Sequence, residues 1–212
     1  MGAIRQFVGR IKLQRRGKNH IAGWSMKPNE AISFIRSLGK TVLTFYGYSG
    51  LGYEDEEGML TIAKKVLSNH APQHTLVNIG VTSVGCGAIY PLAKSMGFET
   101  TGIVTTLALE YRGEISKSVD HICFIKDNQW GGKLPNSDKL CPTSIAMVEC
   151  SDILVGIGGG GIVDDELLYG KELGKPIEYF PAEMNHEIAI RYYKKLGYPP
   201  PEGFQSSSRF NP

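Results

Sequence analysis

The sequence Ser-Asp-Ile-Leu-Val-Gly-Ile-Gly-Gly-Gly-Gly-Ile-Val-Asp-Asp-Glu-Leu-Leu-Tyr, from Ser151 to Tyr169, says more about the fold than any other part of the chain. It contains a short apolar run, Ile153 to Ile157, which is typical of a strand buried in a parallel sheet. Glycines follow, and then a helical stretch that we expect to end near Gly174. Glycines between a strand and a helix let backbone N–H groups approach a ligand, and a helix N-terminus favours negative charge. This pattern predicts a phosphate-binding turn formed by Gly158, Gly159, Gly160 and Gly161.

Carboxylates follow the glycines by about one helical turn. They belong to Asp164, Asp165 and Glu166, and they could hold the hydroxyl groups of a ribose. Acidic residues in the first turn of a helix also interact favourably with the helix dipole when no ligand is present. For Asp164 and Asp165, helix capping therefore stays open as an alternative to ligand contact.

The composition excludes several classes of protein. The 212 residues carry a formal net charge of +2, which gives no overall field for attracting nucleic acid. No apolar run approaches the length of a membrane span, and the segment from Met1 to Arg10 lacks the apolar part of a secretory signal. The cysteines occur singly, without the spacing of a zinc site. We therefore expect a cytoplasmic protein with reduced cysteines, no membrane contact, no metal and no cofactor.

The length suits a single domain with an extension at each end. A cluster of basic residues precedes the first acidic residue, Glu30, and we assign residues 1–27 to a basic N-terminal arm. Such an arm is usually a solvated extension, although it could also touch nucleic acid or an acidic surface. Residues 28–198 form the predicted domain. Residues 199–212 are rich in Pro and Ser and form a predicted extended tail.

Short apolar strands alternate with helical patterns along the domain. The predicted strands are 41–48, 75–79, 100–105, 121–125, 153–157 and 176–180, and the predicted helices include 28–38, 57–67, 88–96, 144–149 and 182–196. This alternation indicates a parallel sheet covered by helices on both faces. The predicted fold class is therefore α/β, a Rossmann-like three-layer sandwich with a mainly parallel sheet.

Small and polar residues follow three of the predicted strands. Because parallel strands point the same way, the three loops should meet at one edge of the sheet, where ligands bind in such folds. Together they predict a continuous cradle for a nucleotide-like ligand. Besides the glycine turn, the candidate ligand-binding residues in these loops are Gly47, Ser49, Gly50, Gly80, Thr82, Gly85 and Gly87.

The order of these motifs resembles that of the cytokinin-activating phosphoribohydrolase (LOG-like) family and its wider SLOG nucleotide-binding superfamily. The resemblance covers about residues 41–180. It rests on a strand with a Gly/Ser loop, a second strand with a Gly-rich loop, a third Gly-led strand and a late Asp-to-Glu glycine motif. These match Thr41 to Gly50, Asn78 to Ala88, Gly97 to Val104 and Ser151 to Glu166. The resemblance implies a Rossmann-like fold and cleavage of the N-glycosidic bond of a nucleotide.

The chain departs from the family at informative positions. The family's Pro, second Gly and Thr fall on Gly158, Ile162 and Val163, whereas its Glu is kept as Glu166. The family's catalytic Arg is missing, and the matching positions are Thr143 and Ser144, which we include among the candidate ligand-binding residues. Loss of a cation that steadies phosphate argues against the family reaction.

Three functions follow from these patterns. The first is nucleotide binding, with phosphate held by the glycine loops and ribose by Asp164 and the neighbouring acids. The second is hydrolysis or transfer at an N-glycosidic bond, with Glu166 and Asp165 as catalytic residues. The third, an NAD-dependent enzyme, rests on Gly156-x-Gly158-x-x-Gly161, but too little chain follows for a full dinucleotide fold. We expect a small nucleotide-like ligand and a homodimer, and we consider nucleic acid an unlikely partner.

Overall fold

A computed structural model describes residues 25–205 and residue 210 of the chain. The strands are β1 (Thr41–Gly47), β2 (Thr75–Ile79), β3 (Glu99–Thr105), β4 (His121–Ile125), β5 (Ile153–Ile157) and β6 (Ile177–Phe180). The α-helices are α1 (Pro28–Arg36), α2 (Glu56–Ser68), α3 (Ile89–Ser95), α4 (Pro142–Cys150), α5 (Gly161–Glu172) and α6 (His186–Lys195). Two 3-10 helices cover Gly85–Ala88 and Thr106–Glu114. The described residues thus contain every predicted strand.

The strands form one six-stranded sheet in the order β4-β3-β2-β1-β5-β6. Every neighbouring pair is parallel, with Phe45 opposite Val155 and Gly47 opposite Ile157 between β1 and β5. The chain runs outward from β1 to β4 and then returns to the other side of β1 with β5. The carboxyl ends of β1 and β5 therefore flank the crevice where an open α/β sheet binds its ligand.

Each face of the sheet has its own apolar core. One core joins α1, α4 and α5 to the sheet and contains Ile35, Val148 and Leu167. The other joins α2 and α3 to the opposite face and contains Leu67 and Tyr90. Helices thus cover both faces, and the predicted α/β three-layer sandwich with a Rossmann-like parallel sheet is confirmed.

The buried side chain of Tyr90, on α3, meets the backbone of two strands. The hydroxyl of Tyr90, which is 0% exposed, lies 2.8 Å from the carbonyl oxygens of Ile79 and of Thr101. Its hydrogen can satisfy only one of these at a time. This contact links α3 to β2 and β3 and holds the loop after β2 in place.

The chain ends lie partly outside the described residues. Most of the predicted basic arm falls there, but Met26 bridges to Ile125 at the end of β4. In the predicted tail, Gln205 bridges to Glu183, and the Phe204 ring stacks on His186 with ring centroids 4.0 Å apart. The boundaries at residues 27 and 198 stay predictions. No helix among the described residues is long and apolar enough to cross a membrane.

Candidate functional site

A cavity of about 630 Å³ opens at the carboxyl edge of the sheet. This volume lies within the range of about 300–1,000 Å³ that is usual for small-molecule sites. All three predicted loops contribute to its wall. Of the predicted site residues, the cavity is lined by Gly47, Ser49, Gly50, Gly80, Thr82, Thr143, Gly160, Gly161 and Glu166.

The N-terminus of α5 faces this cavity. Gly160 is the N-cap residue, and no side chain caps the helix, whereas Asp55 and Asn185 cap α2 and α6. The first four N–H groups of a helix have no partner within it. In α5 these belong to Gly160, Gly161, Ile162 and Val163, and all four residues line the cavity. The helix therefore presents its positive end to the cavity.

The four glycines of the turn divide into two pairs. Gly158 and Gly159 have φ angles of +58° and +111°, and a Cβ atom on either would crowd Tyr48 or Val163. They allow the chain to turn from β5 into α5. Gly160 has φ of −110°, and a Cβ on Gly160 or Gly161 would meet nothing within 4 Å. Only the second pair leaves open space at the helix end.

In the loop after β2, Gly85 and Gly87 pack closely against neighbouring backbone. Gly85 has φ of +59°, and a Cβ there would overlap the carbonyl oxygens of Tyr48 and Ser49. The N–H group of Cys86 donates to the Tyr48 carbonyl over 2.7 Å. Gly87 lies against the carbonyl of Thr82 in the same way. Gly85 and Gly87 thus shape the cavity wall from behind rather than line it.

Glu166 combines burial with access to the cavity. Its side chain lies at the cavity wall, yet the residue is only 5% exposed. Burial raises the pKa of Glu166 to about 8, against a lowering by the Ser144 hydrogen bond and a further raising by the charge of Asp165. At neutral pH this carboxyl group is therefore protonated and able to donate a hydrogen bond.

Ser144 hydrogen-bonds to Glu166 and is not among the described residues that line the cavity. The Ser144 hydroxyl donates to Oε1 of Glu166 over 2.5 Å and accepts a 2.7 Å hydrogen bond from the N–H of Gly132. Thr143 lines the cavity, but its hydroxyl donates to Asp127 over 2.8 Å. Thr143 therefore keeps only acceptor capacity for a ligand.

The other two predicted carboxylates do not line the cavity with Glu166. Asp165 lies 3.8 Å from the ammonium group of Lys133 and is 23% exposed at its side chain. Asp164 is half-buried in the first turn of α5. Neither is among the described residues that line the cavity, and their ribose-binding role stays a prediction.

Among the described residues, the cavity wall has neither a basic side chain nor a reactive thiolate. Within the described part of the chain, none of the lining residues is Lys or Arg. The thiol of Cys86 lines the cavity, but burial raises its pKa to about 12. An anion in this cavity would therefore meet backbone N–H groups and hydroxyl groups rather than a cationic side chain, and the thiol is not a thiolate nucleophile at neutral pH.

Sequence reasoning missed the aromatic residues of the cavity. Tyr111, Trp130 and Tyr192 all line it, from the 3-10 helix Thr106–Glu114, the loop before α4 and helix α6 respectively. The available signal was Trp130 within the polar segment Asp-Asn-Gln-Trp-Gly-Gly. A large aromatic residue among turn-forming residues is a candidate for ligand contact.

Comparison with known proteins gives structural neighbours alone. No family model and no curated protein matches the chain. The chain is similar to the Moco carrier protein from Chlamydomonas reinhardtii, with a TM-score of 0.49 and 18% identity over 74% of this chain and 85% of that chain. A second structure, of the molybdenum cofactor carrier protein from that organism, gives 0.48 and 20% over 66% and 76%. A structural genomics target named TM1055 gives 0.47 and 17% over 65% and 72%. These values are too low to bear on ligand or reaction.

Proposed function

We propose that this protein is a LOG-like binding protein for a nucleotide or nucleotide derivative, with the ligand in the cavity at the carboxyl edge of the sheet. The observation that carries the proposal is the uncapped N-terminus of α5, where Gly160, Gly161, Ile162 and Val163 line the cavity. Their N–H groups and the helix dipole together favour an anion such as phosphate. Open space beside Gly160 and Gly161 leaves room for it.

The state of Glu166 supports an anionic ligand. A carboxylate next to a phosphate would repel it, but the pKa of about 8 keeps Glu166 protonated at neutral pH. A neutral carboxyl group can both donate to and accept from a sugar hydroxyl. We place the ribose next to Glu166, one turn of α5 beyond the phosphate.

Calorimetric titration tests this function with AMP, adenosine, ribose 5-phosphate and inorganic phosphate as probes. Without a cationic side chain in the cavity, we expect dissociation constants of about 1 μM to 1 mM for the phosphorylated organic probes, and weaker binding of adenosine. Glu166→Leu should weaken binding, because it removes the group that contacts the ribose, whereas Glu166→Gln should largely keep binding, since its amide also donates and accepts. If neither AMP nor ribose 5-phosphate binds at millimolar concentration, the nucleotide function is wrong.

A second candidate is hydrolysis of the N-glycosidic bond, favoured by the same protonated Glu166. A carboxylic acid with a pKa near the working pH suits general acid catalysis. In this reaction the Glu166 proton goes to the departing base, the hydroxyl of water bonds to C1′, and the remaining proton of water returns to Glu166. Asp165 takes part by raising the pKa of its neighbour.

Release of free base from AMP, followed by chromatography, separates the two candidates. Turnover by the parent protein and its loss in Glu166→Gln would establish the hydrolase. Binding without release of base would establish the binding protein. The expected homodimer is tested by light scattering of the purified protein, with a mass of twice 23.2 kDa as the expected result.

A further inference from the structure

Three aromatic side chains that line the cavity are about half-exposed, and two of them, Tyr111 and Trp130, contact each other at its mouth. Tyr111 and Trp130 are 49% and 55% exposed, and both line the cavity. Their ring centroids lie 5.8 Å apart at an interplanar angle of 58°. Two large rings in contact with each other and with water form an apolar wall that the folded chain does not cover. Tyr and Trp placed in this way are typical of surfaces that contact a ligand.

Asp127 fixes the segment that carries Trp130. Its carboxylate accepts hydrogen bonds from the N–H of Gln129 over 3.0 Å and from the N–H of Thr143 over 2.8 Å. On the other side of Trp130, the N–H of Gly132 donates to Ser144 over 2.7 Å. Trp130 therefore lies between two anchored positions of its loop.

The same residue fixes the segment that carries Tyr111. The carbonyl oxygen of Asp127 accepts hydrogen bonds from the hydroxyls of Thr105 and Thr106, over 2.8 and 3.2 Å. Thr105 and Thr106 begin the 3-10 segment Thr106–Glu114, which bends at Tyr111, where φ is −115° and ψ is 36°. Asp127 therefore anchors both the loop of Trp130 and the start of the segment that carries Tyr111. A wall that is fixed before binding loses little conformational freedom when a ligand arrives.

We propose that Tyr111 and Trp130 form a stacking platform for the planar base of the ligand. This inference rests on the proposed function, because it assumes that the phosphate lies at the N-terminus of α5. The base then lies at the mouth of the cavity and the phosphate inside. Stacking on aromatic rings accepts every base, since each base has a π-face. The larger purines gain more contact than pyrimidines.

The chemistry of the cavity favours a flat uncharged ring over other occupants. Within the described residues the cavity wall has no Lys or Arg that would pair with a second anionic group at the mouth. Glu114 also lines the cavity, and its acidic side chain disfavours a second anionic group of the ligand. A planar aromatic base can stack on the Trp130 ring and contact the Tyr111 ring at an angle, since the two rings are tilted by 58°, and no charge is buried.

The test compares AMP with ribose 5-phosphate, which lacks the base. Trp130→Leu keeps an apolar side chain and removes the ring, and Trp130→Phe keeps a ring. Stacking contributes about 1–3 kcal/mol per base, so Trp130→Leu should weaken AMP about 5- to 150-fold and leave ribose 5-phosphate within about twofold. Trp130→Phe should restore most of the loss. Tyr198→Ala is the matched control, because Tyr198 is 62% exposed and is not among the described cavity residues.

Fluorescence gives a second measurement, which reports contact with Trp130 directly and needs no comparison of dissociation constants between variants. The chain has two tryptophans, Trp24 and Trp130, so Trp24→Phe leaves Trp130 as the sole tryptophan. AMP should quench its emission to saturation, and ribose 5-phosphate should not.

The outcomes separate this inference from the proposed function. If AMP and ribose 5-phosphate both bind and Trp130→Leu changes neither or both equally, the platform is wrong and the phosphate site stands. If neither binds the parent protein, both proposals are wrong. If Trp130→Leu instead converts a dimer into a monomer, the two rings are an interface between copies of this chain, which also overturns the platform.

Discussion

The Ser144 hydroxyl donates a 2.5 Å hydrogen bond to Oε1 of Glu166 across the interface between α4 and α5. Ser144 is 0% exposed and Glu166 is 5% exposed. The N–H of Gly132 completes the chain by donating to Ser144. One buried hydroxyl thus links the loop that carries Trp130 to the only titratable carboxyl group that the described structure buries in this cavity.

Ser144→Ala should destabilise the protein, because it leaves both the Gly132 N–H and the Glu166 carboxyl without their partner. An unsatisfied buried group costs about 1–3 kcal/mol. Urea unfolding followed by circular dichroism measures this loss. Ser68→Ala is the control, since Ser68 is exposed and its hydroxyl bonds only within α2. It should change the free energy of unfolding by less than about 0.5 kcal/mol, and an equal effect of both variants would contradict the buried link.

The raised pKa of Glu166 predicts how stability depends on pH. The folded protein holds this proton up to a pKa of about 8, whereas the ordinary value is 4.5. Between these values the folded state binds more protons than the unfolded chain, so stability falls as the pH rises from about 4.5 through about 8. Each pKa unit corresponds to about 1.4 kcal/mol, so the total loss is a few kcal/mol.

Urea unfolding at pH 6 and at pH 9 measures this dependence. Glu166→Gln is the matched variant, because its side-chain carbonyl still accepts from Ser144 but cannot ionise. The difference in stability between the two pH values should be smaller in the variant than in the parent. Equal differences would show that Glu166 is not protonated in the folded protein at neutral pH.

The sequence was sufficient to predict the sheet because hydrophobic period and turn residues agree along the whole domain. The prediction placed Ile153–Ile157 as a strand, and the structure has β5 with the same bounds. It began the last helix at 182, whereas α6 begins at His186, where Asn185 caps it. It also missed the 3-10 helix Thr106–Glu114, which has no regular apolar period for sequence reasoning to detect.

The candidate site was less predictable than the sheet, since spacing along the chain does not fix where side chains point. Glu166 and Asp165 are adjacent in sequence, but neighbours on a helix project about 100° apart. Glu166 therefore reaches the cavity while Asp165 meets Lys133. The sequence also does not show which of the four glycines the turn requires and which leave space for a ligand. That difference depends on Tyr48 and Val163, which a Cβ atom on Gly158 or Gly159 would crowd.

Gly85, in the loop after β2, tests whether this loop packs against the loop after β1. Gly85→Ala should destabilise the protein, because a Cβ would overlap the backbone of Tyr48 and Ser49 and the φ angle is +59°. We expect a loss larger than about 1 kcal/mol. Gly50→Ala is the control, because its Cβ would meet nothing within 4 Å. Thermal unfolding compares the two, and equal melting temperatures would mean that the loops do not pack as described.

Gly160→Val tests whether the turn reads phosphate. The residue has φ of −110° and open space around its Cβ position, so the fold should tolerate valine. The branched side chain would instead fill the space where a phosphate meets the N–H groups at the start of α5. Gly159→Val is the contrasting variant, because its φ is +111° and its Cβ would crowd Val163. It should unfold at a lower temperature.

Calorimetric titration of the Gly160→Val protein should show binding of AMP reduced at least about tenfold, or about 1.4 kcal/mol. Adenosine should lose much less, since its contacts lie with Glu166 and the rest of the cavity. Equal losses for AMP and adenosine would show that this turn does not hold the phosphate.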